Sequence, residues 1–167
     1  YWYTILAVHK LGAVAVPATH MLKAEDLVYR INCIGISTLI CADDETLAQS
    51  VREAAPQCPS LRLLLNVRKD QEGFERLDVR MQQESTDFVA MRDPFILYFT
   101  SGTTGYPKPV THDGSYPLAH IVTAKYWQNV QDGGLHLTVS DTGWGKASWG
   151  KIYGQWLCGS AVMVYDY

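Results

Sequence analysis

The stretch of sequence best equipped to hold a phosphate group begins at Thr100. Hydroxyls, glycines and one lysine follow one another closely there, at Thr100, Ser101, Gly102, Thr103, Thr104, Gly105 and Lys108. Glycines let backbone N–H groups approach a polyphosphate, while hydroxyls and a lysine add donors and positive charge. The spacing is not the Walker pattern, which needs a longer gap between its glycines and a Lys-Ser/Thr ending. From the residues alone, a phosphate loop and a plain turn both fit this segment.

Histidines and cysteines, which often bind metals or act in catalysis, are scattered along the chain. No C-x-x-C pair, H-E-x-x-H group or zinc-type spacing occurs among them; they are His9, His20, His112, His120, His136, Cys33, Cys41, Cys58 and Cys158. We therefore predict no metal site built from protein side chains, and ordinary buried thiols as in a reducing compartment.

The composition of the 167-residue chain, with 47% hydrophobic residues and a net charge of −3, is typical of a folded domain. Near balance of 17 acidic and 14 basic residues argues against nucleic acid as a partner. No apolar run approaches the roughly 18 residues of a membrane span. The chain opens on Tyr1-Trp2-Tyr3, without Met or a signal peptide, in what looks like mid-helix. A length typical of one domain therefore need not be a whole domain, and the default expectation for the compartment is the cytoplasm.

Strands and helices are predicted to alternate along the chain. Short apolar runs predict strands at residues 13–16, 38–41, 61–67, 95–99, 135–139 and 161–165. Amphipathic spacing predicts helices at residues 2–11, 23–33, 43–55, 116–128 and 147–157, and a weaker helix or turn region at 72–84. This order favours an α/β fold with a mostly parallel sheet and helices on both faces.

The last third of the chain is poor in charge and rich in glycine and tryptophan, which favours a pocket there. Four of the five tryptophans lie in it, at Trp127, Trp144, Trp149 and Trp156. Trp149, Tyr153 and Trp156 recur at helical spacing, so we interpret them as core residues and not as site residues.

Residues 98–108 (YFTSGTTGYPK), with His112, resemble the phosphate-loop signature of the adenylate-forming, or AMP-binding, enzymes. That family includes acyl-CoA synthetases, firefly luciferase and the adenylation domains of peptide synthetases. The rest of the chain is similar to the acetyl-CoA synthetase and medium-chain acyl-CoA synthetase branch. Segments carrying this similarity are 11–17, 26–30, 58–61, 141–144, 153–154 and 158–160. The resemblance covers essentially the whole chain.

The resemblance implies that residues 1–167 are part of the large N-terminal AMP-binding domain, with the C-terminal domain absent. The parent would be an AMP-forming acid–CoA ligase using ATP, Mg²⁺ and CoA. A short- or medium-chain carboxylate attacks the α-phosphorus of ATP, giving acyl-adenylate and pyrophosphate, and CoA then displaces AMP. The seven loop residues from Thr100 to Lys108 would hold the β- and γ-phosphates.

Several family motifs have no counterpart here: the adenine and metal segment, the ribose-binding Asp, the hinge, and the catalytic lysine of the C-terminal domain. We therefore expect no catalytic residue within the fragment, no tightly bound cofactor and no turnover by the chain alone. Pro109 stands where the family usually has Gly. It is expected to stiffen the loop exit, and to displace the loop or impair catalysis if that Gly needs a positive φ.

Trp144 matches a position that helps line the carboxylate pocket in this branch, although plain core packing is the alternative interpretation. Gly145 and Lys146 fall where acetate-specific members carry small pocket residues. A glycine at position 145 would enlarge the cavity. The resemblance leaves a non-catalytic nucleotide-binding module and a ligand-free structural remnant as alternative functions, and the mitochondrial matrix as an alternative location.

Overall fold

Helices and strands alternate in the computed structural model, which describes residues 1–85, 87, 93–101 and 105–165. The helices are α1 (Trp2–Lys10), α2 (Ala24–Ile34), α3 (Glu45–Ala54), α4 (Leu77–Met81), α5 (Tyr116–Tyr126), α6 (Gly145–Lys151) and α7 (Tyr153–Leu157), and one 3-10 turn covers Ala55–Gln57. The strands are β1 (Thr38–Cys41), β2 (Leu63–Asn66), β3 (Glu75–Arg76), β4 (Ile96–Thr100), β5 (Lys108–His112), β6 (Leu135–His136) and β7 (Ala161–Val162). The described residues form two compact units, which we call the outer unit (1–19 and 93 onward) and the middle unit (20–87).

The middle unit is built on a parallel sheet in the order β1-β2-β3, with Thr38 opposite Leu63. Helices α2 and α3 begin and end within two residues of their predicted bounds, whereas the region predicted as a weaker helix or turn at 72–84 contains the strand β3 and the short helix α4. The carboxylate of Asp44 accepts a hydrogen bond from the backbone N–H of Leu47 at 3.0 Å, which caps the start of α3. Gly35, with φ of 68°, ends α2 in the left-handed conformation that glycine adopts at least cost.

The outer unit holds the apolar run predicted as the clearest strand, now β4. It pairs antiparallel with β5, so that Thr100 lies opposite Lys108. β6 and β7 form a separate parallel pair. The core around β4 consists of Ile5, Ala15, Phe95, Ile96, Tyr98, Ile152 and Tyr153. Helices α5 and α7 pack so closely that a Cβ on Gly154 would lie 2.7 Å from the carbonyl oxygen of His120.

The mixed α/β fold with parallel strands is confirmed, but individual elements differ from prediction. The strand predicted at 13–16 is a single parallel bridge between Ala15 and Ile96. β5 was not predicted, because its KPVTH sequence contains a proline and no apolar alternation. The helix predicted at 147–157 is two helices that meet at Ile152, where the backbone leaves the helical geometry. Cys41, Cys58 and Cys158 are buried free thiols as expected, whereas Cys33 is exposed.

No helix within the described ranges is long and apolar enough to cross a membrane.

His9 on α1 is an ionisable group enclosed by apolar rings. Its ring stacks on Phe95 with centroids 3.7 Å apart, and its Nε2 lies 2.7 Å from the hydroxyl of Tyr153. Its Nδ1 is buried without a hydrogen-bond partner among the described residues. Burial lowers the pKa of His9 to about 4, so the folded protein holds this ring neutral at neutral pH.

We predict that this histidine makes the outer unit less stable in mild acid. An unfolded histidine has a pKa near 6.5, so its stabilising contribution is complete above that pH. It is lost as the pH falls from about 6.5 to 4, because the unfolded chain then binds a proton that the folded chain excludes. Because His9 is partly exposed and solvent screens its charge, the expected decrease in the free energy of unfolding is about 1–2 kcal/mol.

Denaturant unfolding at pH 7.5 and pH 5 would measure this loss. The H9Q variant keeps a polar group for Tyr153 but cannot titrate, so its unfolding free energy should change less between the two pH values. Equal pH dependence in the two proteins would show that His9 does not titrate as its surroundings indicate.

Candidate active site

The predicted phosphate loop connects β4 to β5 and therefore lies in a hairpin. The hydroxyl of Thr100 donates to the carbonyl oxygen of Lys108 at 3.4 Å, at the end of the hairpin next to the loop. Gly105 has φ of 132°, a conformation that side-chain-bearing residues rarely adopt. Ser101 is exposed, whereas Gly102, Thr103 and Thr104 lie outside the described residues. The loop does not lead directly into a helix, because the unpredicted strand β5 lies between it and α5.

Pro109 lies within β5, directly opposite Phe99 on β4. In the described part of the chain, β4 is the only strand that pairs with β5. A strand with one neighbour tolerates proline, because its other edge needs no ladder donor. The backbone at position 109 does not have a positive φ, so proline can stand there in place of the glycine of the family pattern.

A cavity of about 400 Å³ opens beside the hairpin. Its walls come from four elements: Tyr98, Phe99 and Thr100 of β4, Val110 and His112 of β5, Tyr116 and His120 of α5, and Gly145 and Trp149 of α6. Its volume lies in the range of small-molecule sites, and aromatic side chains dominate its walls. Because Thr100 belongs both to the hairpin and to the cavity wall, the two features adjoin.

Of the three predicted pocket residues, Gly145 lies in the cavity wall. A Cβ at this position would lie 3.9 Å from the ring of Tyr98, so glycine leaves a little extra room. Trp144 is 59% exposed and is not one of the lining residues. Lys146 is exposed, and its ammonium donates to the carbonyl oxygen of Val139 at 3.3 Å. The part played by these three residues in binding an acid stays a prediction.

Sequence reasoning missed most of the cavity wall, although its spacing carried a signal. Within the helices, His120 follows Tyr116 on α5 and Trp149 follows Gly145 on α6 at intervals of four residues, whereas His112 belongs to the strand β5. In the structure the Tyr116 ring lies 4.3 Å from that of His112 and 4.6 Å from that of His120. Trp149, interpreted from the sequence as core, stacks on His120 at 6.0 Å.

The turn before α6 is anchored by Asp141, within the segment 141–144 that resembles the family. Its carboxylate accepts from the hydroxyl of Thr19 at 2.8 Å and from the backbone N–H of Gly143 at 2.7 Å. Gly143 lies directly against the backbone of Ala18 and Thr19. These contacts determine where α6 begins, and so where Gly145 stands.

A buried hydroxyl pair holds α6 against the strand that carries the loop. Tyr98 of β4 and Ser148 of α6 are hydrogen-bonded, and the hydroxyl of Tyr1 lies 3.4 Å from that of Ser148. Burial raises the pKa of Tyr98, partly offset by the bond to Ser148, so this phenol stays protonated. It serves to position α6, and it is unsuited to general-base catalysis at neutral pH.

The description of the family model that matches residues 1–166 is AMP-binding enzyme. The chain belongs to the AMP-binding enzyme family.

Curated relatives of the chain include acyl-coenzyme A synthetases. The chain is 32% identical over 172 residues to the human protein named Acyl-coenzyme A synthetase ACSM5, mitochondrial. It is 29% identical over 171 residues to human ACSM4, also named mitochondrial. Both alignments cover 99% of this chain, which spans 29% of the length of either relative.

Solved structures of the same kind share the fold. The anthranilate CoA ligase AuaEII, determined with anthranoyl-AMP, superposes with a TM-score of 0.84 at 19% identity, over 98% of this chain and 33% of that one. The acetoacetyl-CoA synthetase of Streptomyces lividans superposes with a TM-score of 0.80 at 19% identity, over 98% of this chain and 27% of that one. An AMP-binding enzyme fold thus places the hairpin and the cavity side by side.

Proposed function

We propose that this chain is part of the N-terminal AMP-binding domain of an AMP-forming acid–CoA ligase. All of residues 1–167 would belong to that domain, and the C-terminal domain would belong to the rest of the parent enzyme. Family membership and the acyl-CoA synthetase names of the relatives support this proposal. The parent enzyme would activate a short- or medium-chain carboxylate with ATP and transfer the acyl group to CoA.

The observation that carries the proposal is the double role of β4. Thr100 at its end opens the phosphate hairpin, and the same residue lines the aromatic cavity with Tyr98 and Phe99. A carboxylate in the cavity would therefore lie beside a triphosphate held by the hairpin. One oxygen of the carboxylate would attack the α-phosphorus of ATP, and pyrophosphate would leave. This step depends on the carboxylate and the triphosphate being held close together.

The hairpin residues would hold the leaving pyrophosphate of ATP through its β- and γ-phosphates. They are Thr100, Ser101, Gly102, Thr103, Thr104, Gly105 and Lys108. The exposed Lys108 supplies a positive charge, worth about 4 kcal/mol against a unit charge at 4 Å and an effective dielectric of 20. Mg²⁺ would arrive with ATP as part of the substrate.

The acid would lie against Gly145, with Trp144 and Lys146 at the margin of its site. Glycine at position 145 leaves a little space in front of the Tyr98 ring, which would enlarge the cavity for the acyl group. Lys146 already donates to Val139, which directs its charge to that carbonyl oxygen.

The test is ATP–pyrophosphate exchange by the full-length parent protein, supplied with carboxylates from two to ten carbons. We expect exchange that depends on both the acid and Mg-ATP, and thioester formation when CoA is added. ATP binding without exchange for any acid would instead favour the non-catalytic nucleotide-binding module. Residues 1–167 alone should bind ATP weakly and should not turn over.

We infer one of two compartments for the parent enzyme, the cytoplasm or the mitochondrial matrix. The matrix is supported by the mitochondrial names of the human relatives. Imaging of the tagged full-length protein would distinguish the two.

A further inference from the structure

Ser148 on α6 is a fully buried serine whose hydroxyl lies between two phenols. It is hydrogen-bonded to the hydroxyl of Tyr98 on β4, and the hydroxyl of Tyr1 lies 3.4 Å from its Oγ. Among the described residues that line the cavity beside the hairpin, Tyr98 is present and Ser148 is not. A change at position 148 would therefore reach a ligand in this cavity through a neighbouring residue.

The hydroxyl of Tyr98 needs a partner within the protein. The residue is buried and belongs to the core cluster around β4. A phenol hydroxyl buried in this way loses its hydrogen bonds to water, and leaving it unpaired costs free energy. Ser148 supplies the partner. The bond fixes the outer end of a side chain whose inner end is already fixed by the strand.

Gly145, one turn before Ser148 on α6, gives the ring of Tyr98 little support. A Cβ on Gly145 would lie 3.9 Å from this ring, in ordinary contact with it, but glycine has no Cβ. Both Gly145 and Tyr98 line the cavity, so the space left between them is part of it. The bond from Tyr98 to Ser148 keeps the ring from turning into that space.

We propose that Ser148 is a positioning residue: through the hydroxyl of Tyr98 it holds that ring in the cavity wall and keeps open the space in front of Gly145 for the acid. This inference rests on the proposed function, since it assigns the cavity to the acid that the ligase would activate. Ser148 itself touches neither the acid nor ATP. Without its hydroxyl, the buried phenol must shift to regain a partner, and no side chain at position 145 opposes the shift.

The first test is S148A in the full-length enzyme, measured by ATP–pyrophosphate exchange. The acid is the straight-chain carboxylate, of two to ten carbons, that the unmodified enzyme activates best. We expect the KM for this acid to rise about tenfold, because the Tyr98 ring moves into the acid's space. The kcat and the KM for ATP should each change less than about threefold, because the hairpin is unaltered. S148C keeps a weaker hydrogen-bonding group of similar shape, so it should raise the KM for the acid by less, and it supplies the same comparison if S148A does not fold.

The Y98F background shows whether Ser148 acts through the Tyr98 hydroxyl. Phenylalanine has no hydroxyl to pair, so S148A in this background should change the KM for the acid less than about twofold. The Y98F/S148A enzyme should therefore have a lower KM for the acid than S148A, although it carries one more substitution. An equal effect of S148A in both backgrounds would overturn the inference.

Ser160 provides the matched control for the loss of a buried serine hydroxyl. It is buried in the same unit, its hydroxyl donates to the carbonyl oxygen of Gly134 at 3.1 Å, and it is not one of the described residues that line the cavity. S160A should leave the KM for the acid unchanged. An equal rise in S160A and S148A, or an S148A value within about twofold of the unmodified enzyme, would overturn the inference and leave the ligase function intact. Exchange with none of the acids by the unmodified enzyme would overturn both.

A crystal structure of the S148A enzyme tests the positioning without reference to activity. We expect the Tyr98 ring to be displaced toward Gly145 and the cavity to be smaller than in the unmodified enzyme. In Y98F/S148A, the ring at position 98 should keep its place, because no hydroxyl is left unpaired. An S148A structure in which the Tyr98 ring has not moved would overturn the inference.

Discussion

Replacing Gly143 by alanine is expected to lower the free energy of unfolding by about 3 kcal/mol. A Cβ built on this glycine lies 2.0 Å from the backbone nitrogen of Thr19 and 2.2 Å from the carbonyl carbon of Ala18. Both atoms belong to the main chain, so no side-chain rotation relieves the overlap. The turn at 141–144 or the segment at 18–19 must move, which disturbs the bonds of Asp141.

Gly145, two residues along the chain, is the matched control. Its added Cβ would meet nothing closer than the Tyr98 ring at 3.9 Å, and alanine is a better helix former than glycine. We expect G145A to change stability by no more than about 1 kcal/mol. Denaturant unfolding of the full-length protein, followed by a probe in this domain, measures both variants. Equal stability of G143A and G145A would mean that Gly143 does not lie against residues 18 and 19 as described.

Much of this fold follows from local sequence patterns. The run that forms β4 is apolar and bounded by polar residues, and α3 shows a capping aspartate at Asp44 followed by buried residues at helical spacing. Such elements are predictable because their signals are contained within about ten residues. The parallel arrangement of β1 and β2 also follows from the helix that lies between them.

The elements that were missed depend on contacts distant in sequence. β5 is a strand because β4 offers it a partner, and its own residues, among them Pro109, have low strand propensity. Ala15 makes one bridge to Ile96 and no longer pairing, which no pattern within residues 13–16 could indicate. At Ile152 the helix is interrupted while that side chain is fully buried, so tertiary packing overrides the helical spacing there.

The candidate site likewise has one part that local sequence indicates and one part that depends on contacts between distant residues. The segment from Thr100 to Lys108 could be singled out from the sequence, because it combines glycines, hydroxyls and one lysine, and its part in binding phosphate stays a prediction. The cavity was not, because its walls come from four elements that meet only in the folded chain. Periodicity alone cannot tell a core face from a cavity face, so Trp149 was assigned to the core although it lines the cavity beside His120.

Removing the charge of Lys108 is expected to have the largest effect on activity. The side chain is exposed on the first residue of β5, opposite Thr100, in the hairpin that we propose binds the triphosphate of ATP. In K108A of the full-length enzyme, kcat/KM for ATP in pyrophosphate exchange should fall about a hundredfold, equivalent to about 2.7 kcal/mol. This is less than the roughly 4 kcal/mol of a close ion pair, because water screens an exposed charge.

Two further variants are controls for K108A. One tests whether the charge or the shape of the side chain matters, and the other tests whether removing any exposed lysine lowers activity. K108R keeps the charge but changes its shape, so it should recover part of the lost activity. Lys125, an exposed lysine in the last turn of α5 and in the same unit, should tolerate alanine with activity changed less than about twofold. The unfolding midpoint of K108A should match that of the unmodified enzyme, since an exposed side chain contributes little to packing. A K108A enzyme within twofold of the unmodified kcat/KM would remove Lys108 from the phosphate site and would favour a hairpin that binds no nucleotide.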